Sequence, residues 1–287
     1  MIHQLITEWA GKAPIKQLCR VLEVSRSGYY AARQRARGSP ASCSESVHAR
    51  AVFKATGSTY GSRRLSAALK LQGLDVGRHR CRTLMKSNGL RAKWRRKFIH
   101  TTDSKHGLPV AANVLNRQFS PAKPNLAWVS DLTYIRTRSG WLYLAAVMDL
   151  YSRRIVGWAM APSMPAQLVC DALKIAIASR QPAPGLVVHS DRGSQYASAE
   201  HAQLLQRHGL TASMSRKGNC WDNAVMERFF LNLKMERVWQ ADYANHGEAK
   251  LDVADYIVNF YNEIRLHSTL GYCAPAQYER QAELTRD

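Results

Sequence analysis

The segment VVHSDRGSQY, Val187 to Tyr196, changes character in its middle. Branched apolar residues, which favour a buried strand, run directly into a carboxylate at Asp191 and then into an Arg-Gly turn. Asp before a turn that contains Gly is common turn chemistry, which is one explanation for this residue. The other is that the end of a strand is where an α/β fold presents a reactive group. The choice between them depends on the elements on either side.

Those elements predict an α/β domain. Three strand-like stretches, LAWVSDLTYIRT, GWLYLAAVMDL and RRIVGWAMA, follow one another across short turns from residue 126, as in an antiparallel meander. A helix beginning near Pro165, a strand at GLVVHS, a helix at SAEHAQLLQRHG, a strand at LTASMS and a helix at NAVMERFFLNLKMERVW complete the order. The order βββαβαβα is typical of the ribonuclease-H-like fold, a mixed five-stranded sheet with flanking helices.

Three acidic residues are predicted to meet at one edge of this sheet. Asp131 lies inside the first strand, where a charge is costly unless it is paired or bound to metal. Asp191 ends the fourth strand, and Glu227 lies one turn into the last helix. In this strand order the first and fourth strands are neighbours and that helix packs beside them. The sequence therefore predicts a catalytic cluster of three carboxylates.

Divalent cations would make such a cluster stable, because three neighbouring carboxylates repel one another. Oxygen ligands with open water positions suit Mg²⁺ or Mn²⁺. Two such ions about 3.5–4 Å apart can activate an attacking oxygen and stabilise the leaving one in phosphodiester chemistry. We therefore expect Asp131, Asp191 and Glu227 to bind two Mg²⁺ or Mn²⁺ ions.

Three polar residues near the cluster have simpler interpretations. Asp149 ends the second strand; it is either a fourth ligand or, as we favour, a cap for the following turn. Asp222 opens the last helix and is predicted to be its N-cap. His189 precedes Asp191 by two positions, and a packed, hydrogen-bonded side chain is favoured over a ligand there.

The charge of the chain is uneven. The 287 residues carry a formal charge of +20, and residues 1–120 hold 23 Lys and Arg against 5 Asp and Glu. Residues 121–287 hold 18 against 16. A basic half joined to a nearly neutral half predicts a module that binds a polyanion, most simply nucleic acid, and a merely solvated basic surface is the alternative. The six Cys residues are scattered without zinc or disulfide spacing.

The basic half predicts short helices. APIKQLCRVLEVSRSGYYAARQRAR has helix–turn–helix-like spacing, with Ser25 or Ser27 as N-cap of its second helix. TYGSRRLSAALKLQG and GRHRCRTLMKSNGL predict a second pair of helices. The predicted fold class is thus an α/β ribonuclease-H-like core preceded by all-α, helix–turn–helix-like DNA-binding segments. The predicted divisions are 1–40 (helix–turn–helix-like), 45–100 (second helical DNA-binding domain), 101–122 (linker), 123–240 (catalytic core) and 241–287 (helical extension).

Several basic residues are candidates for contact with DNA. RAKWRRK, which contains Arg95 and Arg96, interleaves cations with one Trp, as phosphate contact and stacking require. Arg216 and Lys217 precede the last helix of the core, and Arg63 and Arg64 begin an amphipathic helix. For each of these, an exposed charge without a partner is the alternative.

Several long motifs resemble the transposases of the bacterial insertion-sequence-3 family, in particular their second-frame subunit OrfB with its DDE integrase core. They are WVSDLTYI, HSDRGSQY, VMDLYSRRIVGWAM, SRKGNCWDNAVMERFF and NFYNEIRLHSTLGYCAPAQYE, together with LCRVLEVSRSGYY and YGSRRL in the basic half. Thirty-five residues, 192–226, separate Asp191 from Glu227, the D-x35-E spacing of that family and of retroviral integrases. The resemblance covers nearly all of the chain.

The resemblance implies a DNA transposase. Asp131, Asp191 and Glu227 would bind two Mg²⁺ ions, and water or a DNA 3′-hydroxyl would attack a phosphodiester to cut and join the ends of the element. Lys234 corresponds to the family's basic residue seven positions after Glu227 and would contact terminal DNA. The family also implies a partner, or a fusion with it made by frameshifting: the first-frame protein OrfA. Assembly as an oligomer on the DNA ends and target is expected.

Other classes remain open at this stage. A metal-dependent nuclease of the same fold would hydrolyse without joining, and a non-catalytic DNA-binding relic would keep only the basic half. An enzyme acting on RNA would need aromatic sheet motifs that are not recognised here. The N-terminus lacks a signal-peptide core and no run of about 18 apolar residues occurs, so a bacterial cytoplasmic, nucleoid-associated protein without a membrane span is expected.

Overall fold

A mixed sheet forms the centre of the computed structural model, which describes residues 2–37, 44–93, 108–217 and 219–284. Within these residues five strands form one sheet in the order β3-β2-β1-β4-β5. Their bounds are β1 (Ala127–Thr137), β2 (Gly140–Asp149), β3 (Ile155–Ala161), β4 (Val187–Ser190) and β5 (Thr211–Met214). The predicted element order and the predicted proximity of the first and fourth strands are confirmed.

Strand pairing leaves one long hairpin beyond the end of β4. β1 pairs with β2 antiparallel from Trp128 to Thr137, and β2 pairs with β3 in the same sense. β4 is parallel to both β1 and β5, and its pairing with β1 covers Ala127 to Val129. β1 then continues past the end of this pairing to Thr137. The residues of β1 after Val129 therefore lie where the short parallel strand stops.

Helices precede the sheet in the chain and also cover both of its faces. In the amino-terminal part they are α1 (Ile2–Trp9), α2 (Ile15–Val21), α3 (Arg26–Arg37), α4 (Ser44–Ala55), α5 (Ser62–Leu71) and α6 (Arg78–Ser87). In the remainder they are α7 (Ala166–Arg180), α8 (Ala199–Arg207), α9 (Ala224–Glu236), α10 (His246–Asp255) and α11 (Pro275–Leu284). A π-helical turn, Tyr256–Tyr261, extends α10. Among the described residues, no helix is long and apolar enough to cross a membrane.

One face of the sheet packs against α7 and α8. Trp128, Val147, Leu173 and Leu205 belong to this core and are almost completely buried. Gly157 of β3 permits the close approach of α7, because an added Cβ would lie 2.6 Å from the backbone nitrogen of Ala176. Helix α7 therefore lies directly on the meander and fixes the face opposite the predicted catalytic helix.

The other face packs against α9 and joins the helical segments to the core. Phe229 and Leu233 of α9 share one apolar cluster with Leu65 and Leu69 of α5 and with Tyr256 of the π-helical turn. Helices α1 to α3 instead pack around a small cluster of their own, which includes Ile6, Cys19 and Tyr29. Helices α4 to α6 are therefore part of the same packed body as the sheet.

Polar contacts reinforce this join. The hydroxyl of Tyr60 donates to the carbonyl of Ile264 at 3.1 Å and accepts from the backbone nitrogen of Leu266 at 2.9 Å. The buried carboxylate of Glu236, at the end of α9, accepts from Arg265 at 2.8 and 2.9 Å and from Arg64 at 3.2 Å. The α4–α6 segment, helix α9 and the carboxy-terminal segment thus meet at one point.

Residues predicted to form a linker also contact the core. Ser213 of β5 accepts hydrogen bonds from the backbone nitrogens of Val114 and Leu115 at 3.0 and 3.1 Å. The side chain of Leu115 is buried in the same cluster as α9. Residues 108–122 have little regular structure, but they are held along the edge of the sheet at β5.

Candidate active site

Asp131 occupies the part of β1 that lies just beyond the end of the β4 pairing. Its side chain is half-buried, and one oxygen accepts from the backbone nitrogen of Leu132 at 2.8 Å. Burial raises the pKa of this carboxyl well above its usual value, and the charges of Asp191 and Glu227 raise it further. Asp191 and Glu227 are thus close enough to act electrostatically on Asp131, which agrees with the strand order.

Asp191 follows the last residue of β4 and closes a turn at the same time. Its Oδ1 accepts from the backbone nitrogen of Gly193 at 2.9 Å, and a Cβ on Gly193 would lie 3.0 Å from that oxygen. Since β4 runs parallel to β1, this turn opens beside Asp131. Turn chemistry therefore fixes the Asp191 carboxylate at the end of the strand next to Asp131.

Glu227 lies in the first turn of α9 and is exposed to solvent. The helix packs against β1 through Phe229 and Leu233, so its first turn is held at the level of Asp131. Lys234, two turns further along, is half-buried, and its charge offsets part of the repulsion at Asp131. Burial lowers the pKa of Lys234, whose ammonium also lies 4.5 Å from the centre of the Tyr134 ring.

Asp222 holds the start of α9 in place. Its carboxylate is inaccessible to solvent and accepts from Arg216 at 2.8 and 2.9 Å and from Arg117 at 2.7 Å. The backbone nitrogen of Arg216 and the amide of Asn113 also donate to it, each at 2.9 Å. Hydrogen bonds from Arg216, followed by that from Arg117, hold the pKa of this carboxyl well below its usual value.

The prediction that Asp222 caps the last helix is wrong. The residue lies within a short 3-10 helix, Cys220–Asn223, and Asn219 provides the side-chain cap by accepting from the backbone nitrogen of Trp221. Asn223 occupies the N-cap position of α9 without a side-chain hydrogen bond to the helix. The pairing of Asp222 with two arginines was not recognised because Arg117 is distant in sequence and Arg216 was assigned to DNA.

The other two interpretations are confirmed. Asp149 accepts from the backbone nitrogens of Tyr151 and Asn125 at 2.9 and 2.8 Å, so it caps the turn after β2. His189 is fully buried, with its ring nitrogens 2.9 and 3.2 Å from the hydroxyls of Ser213 and Ser215. Burial lowers the pKa of His189 to about 4. Both side chains therefore have structural hydrogen-bond partners within the fold.

The donor set fits a hard divalent cation. Across residues 2–37, 44–93, 108–217 and 219–284, no group of three or more His, Cys, Asp or Glu side chains is already arranged to hold a metal ion. The charges of Asp191 and Glu227 nevertheless disfavour the ionised form of Asp131, and the charge of Lys234 offsets part of this repulsion. Oxygen donors with surplus negative charge suit Mg²⁺ or Mn²⁺, so the chemistry of the residues fits such ions.

The basic candidates have different surroundings. Arg216 forms an ion pair with Asp222, and Arg64 binds Glu236 and lies 5.0 Å from the centre of the Tyr60 ring. Both therefore have structural partners, which the sequence did not indicate. Arg63 and Lys217 are exposed. Arg95 and Arg96 lie outside the described residues.

A more continuous basic surface lies on α6. Cys81, Leu84 and Met85 bury one side of this helix against α4 and α5. The other side exposes Arg78, His79, Arg82 and Lys86. We call these four residues the α6 face. Its signal was present in the spacing of the basic residues, which recur at i, i+4 and i+8, as one helical face requires.

Comparison with known families defines the class of protein. Residues 121–220 and 208–275 match two family models described as Integrase core domain, and residues 44–98 match a family described as HTH-like domain. Together with the strand order, these matches identify the fold as an integrase core of the ribonuclease-H-like type preceded by helix–turn–helix-like helices.

Whole-chain comparison gives the family. The chain is 40% identical over 285 residues to the transposase InsF for insertion sequence IS3A of Escherichia coli K12, covering 98% of this chain and 99% of that protein. It is 44% identical over 266 residues to the 31 kDa protein of insertion element IS600 of Shigella sonnei, covering 92% and 98%. The chain belongs to the IS3 family of transposases.

Solved integrase structures are also similar. The simian T-cell lymphotropic virus intasome in complex with PP2A regulatory subunit B56 gamma aligns with a TM-score of 0.47 and 15% identity, over 75% of this chain and 70% of that chain. The HTLV-2 integrase catalytic core domain in complex with magnesium aligns with a TM-score of 0.42 and 16% identity, over 55% of this chain and 98% of that domain.

Proposed function

We propose that this chain is a DDE transposase that cleaves the ends of an insertion sequence and joins them to DNA. The observation that carries the proposal is the convergence of Asp131, Asp191 and Glu227 at the end of the parallel strand pair. Their repulsion leaves an electrostatic need for cations. Membership of the IS3 transposase family and the basic amino-terminal half support the same activity.

Asp131, Asp191 and Glu227 would hold two Mg²⁺ or Mn²⁺ ions. The chemistry supplied by such ions, when bound, is activation of the attacking oxygen and stabilisation of the leaving oxygen in a phosphodiester. The chain itself fixes the positions of the three carboxylates. The turn at Gly193 fixes Asp191, the β1 backbone fixes Asp131, and the Asp222 contacts fix the start of the helix that carries Glu227.

Lys234 is proposed to bind the terminal DNA. Its ammonium lies on the same helix as Glu227 and acts electrostatically on Asp131, so a phosphate beside the carboxylates would lie within its field. The position on a helix packed against β1 also limits its movement, which favours a defined contact. The residue would therefore orient the reacting strand rather than act on the proton.

Binding of the duplex is proposed to involve the exposed basic residues of the amino-terminal helices. The α6 face presents four basic or titratable side chains to solvent, and the exposed side chains of Arg63 and Lys217 are further candidates. Arg64 and Arg216 are less suited, because each already neutralises a buried carboxylate. Arg95 and Arg96 remain candidates from the sequence. A first-frame OrfA partner or fusion, and assembly on paired DNA ends, belong to the same proposal.

The test is a cleavage and joining assay with labelled DNA that carries the ends of the element, with Mg²⁺ or Mn²⁺. The full chain, alone and fused to the first-frame protein of its element, is compared with Asp191→Asn. This substitution retains an oxygen that can accept from Gly193 but removes the charge. Asp171→Asn is the matched control, because Asp171 is an acid on α7 whose partners Gln167 and Lys174 are its exposed neighbours.

We expect metal-dependent nicks and joined products from the parent chain and the control, and at least a hundredfold loss in Asp191→Asn. Metal-dependent nicks without joined products would instead indicate a nuclease. If the parent chain and Asp191→Asn bind DNA equally and neither cleaves it in any condition, the chain is a DNA-binding relic and the proposed activity is rejected.

A further inference from the structure

Four side chains form a partly exposed row that begins at Lys234, the residue whose charge acts on Asp131. The ammonium of Lys234 lies 4.5 Å from the centre of the Tyr134 ring. That ring meets Trp141 edge-to-face at 4.9 Å and 86°, and the guanidinium carbon of Arg136 lies 5.8 Å from the centre of a Trp141 ring. Cation, aromatic, aromatic and cation thus follow one another without a gap. We call Lys234, Tyr134, Trp141 and Arg136 the cation–aromatic strip.

The strip begins at the proposed active site and follows the β1–β2 hairpin away from it. Arg136 is paired across the hairpin with Trp141, and Tyr134 is paired with Tyr143, so these side chains lie on one side of the sheet. This is the part of β1 beyond its pairing with β4. Asp131, which is an odd number of residues from both Tyr134 and Arg136, lies on the other side of β1. Lys234, whose charge acts on Asp131 and whose ammonium contacts the Tyr134 ring, connects the two sides across the edge of β1 that β4 leaves unpaired.

Cross-strand packing alone does not account for the strip. Such pairs do stabilise hairpins, but β1 and β2 already pair over their whole length and bury much of their apolar surface. The Trp141 side chain is 44% exposed to solvent, so only part of its ring packs against the rest of the fold. In the described part of the chain, neither Arg136 nor Lys234 forms an ion pair with a carboxylate within 4.0 Å.

We propose that the cation–aromatic strip binds unpaired nucleotides of a DNA strand at the active site. Phosphate binding alone would require only the cations, whereas exposed aromatic rings add affinity when bases are available for stacking. In a duplex the bases are stacked on one another, so the strip fits a strand that has separated from its complement. Trp141 and Tyr134 stack against the bases, and Arg136 and Lys234 bind the phosphates. The inference rests on the proposed function and adds the form of its substrate.

The test measures binding of fluorescein-labelled oligothymidylate, as single strand and as the duplex with its complement, to the full chain in EDTA, where cleavage cannot occur. Trp141→Ala removes the ring and Trp141→Phe retains an aromatic face. Trp9→Ala is the matched control. Trp9 is an exposed Trp on α1 with a lysine, Lys12, 5.5 Å from its ring, and it lies outside the sheet.

We expect Trp141→Ala to weaken single-strand binding about five- to twentyfold, with less than a twofold effect on the duplex. Trp141→Phe should retain most of the affinity, and Trp9→Ala should match the parent chain. A single 2-aminopurine in the oligonucleotide gives a direct readout. Stacking should quench its fluorescence with the parent chain, and Trp141→Ala should restore it. Arg136→Ala should weaken binding while the quench at saturation remains.

Equal single-strand affinity and equal quenching in the parent chain and in folded Trp141→Ala would overturn the proposal. If the alanine variant does not fold, Trp141→Gln, which also lacks an aromatic ring, replaces it in this comparison. Unchanged 2-aminopurine emission when the oligonucleotide is saturated with the parent chain would likewise overturn the proposal. The cleavage assay with Asp191→Asn is independent of this result. Loss of cleavage there, with no effect of Trp141 on single strands, would reject the strip and leave the transposase assignment intact.

Discussion

Asp222 shows how one buried carboxylate can organise an active site without belonging to its reacting groups. It accepts hydrogen bonds from Arg117, in the segment before β1, from the side chain of Arg216, two residues after β5, and from the backbone at Arg216. Neutralisation by two guanidinium groups makes its burial tolerable. Because Asp222 precedes Glu227 by little more than one helical turn, these contacts hold the start of α9, the helix that carries Glu227.

Substitution of Asp222 by Asn should therefore affect both stability and catalysis. The variant retains the shape of the side chain but leaves Arg117 and Arg216 without a charged acceptor, which should cost about 2 kcal/mol in the free energy of unfolding. Urea unfolding followed by circular dichroism would measure this. In the cleavage assay the rate should fall by at least tenfold, while affinity for duplex DNA changes little.

Asp242→Asn provides the control for this prediction. Asp242 also pairs with an arginine, Arg138, but that pair is exposed at the surface and should contribute little. Equal unfolding midpoints and equal cleavage rates for the two variants would show that Asp222 does not position the helix.

Positions with a local signal were predictable at this scale. The position of Asp191 at a strand end and the turn-capping role of Asp149 followed from the adjacent strand and turn residues. Asp222 was misassigned because its partner Arg117 is 105 residues away and no periodicity connects them. Arg64 was assigned to DNA because its partner Glu236 is 172 residues away. Long-range ion pairs are decided by packing, which a single sequence does not display.

At the scale of elements, α6 presents an exposed basic face. Its apolar residues point to α4 and α5, so the α6 face points outward. Helix α5 was the candidate from the sequence, yet Arg64 faces inward, which leaves Arg63 as its exposed member of the pair. The helical pattern was readable, but which side of each helix is covered depends on the packing of α4, whose helix the sequence reasoning did not identify.

Removal of charge from α6 should weaken duplex binding and its dependence on salt. The double variant Arg82→Ala with Lys86→Ala removes two cations, and each phosphate that is no longer neutralised should lower the slope of log K against log salt by about 0.9. Fluorescence anisotropy at several NaCl concentrations would measure the slope. Lys70→Ala with Lys250→Ala removes the same charge from other exposed positions and should leave the slope nearly unchanged. Equal slopes for the two double variants would exclude α6 as a DNA-binding face.

At the scale of the whole molecule, buried histidines link stability to pH. Burial lowers the pKa of His201 to about 4 and that of His267 to about 2. Both side chains are therefore neutral in the folded chain at pH 7, whereas the unfolded chain binds protons near pH 6.5. Keeping these histidines neutral therefore does not reduce the free energy of unfolding above about pH 6.5. As the pH falls from there towards their pKa values in the folded chain, the unfolded state binds protons that the folded state does not, and stability is lost.

His201→Gln should reduce this loss. His201 is almost fully buried beside Tyr196, with the two ring centres 5.4 Å apart. Between pH 7.5 and pH 5.0 the parent chain should lose about 2 kcal/mol more stability than the variant, because the unfolded histidine is protonated over that interval. Urea unfolding curves at both pH values would measure the difference. Parallel losses in the two proteins would contradict the assigned state of His201.

The fold as a whole was predictable because its strands, helices and their order have strong periodic signals. The strand order then placed the first and fourth strands together, and with them the candidate carboxylates. The union of the helical segments with the core was not predictable. It depends on Tyr60 and on the pairing of Glu236 with Arg265, none of which belongs to a local pattern.

That union has a consequence for how such a chain can diversify. Tyr60 and Arg64 come from the first third of the chain, whereas their partners come from the last third. A mosaic gene, formed when two diverged elements recombine near the middle, would inherit the two sides of this contact from different parents. Mismatched sides would leave buried polar groups without partners, so the ends of the gene are expected to evolve as one lineage although more than a hundred codons separate them.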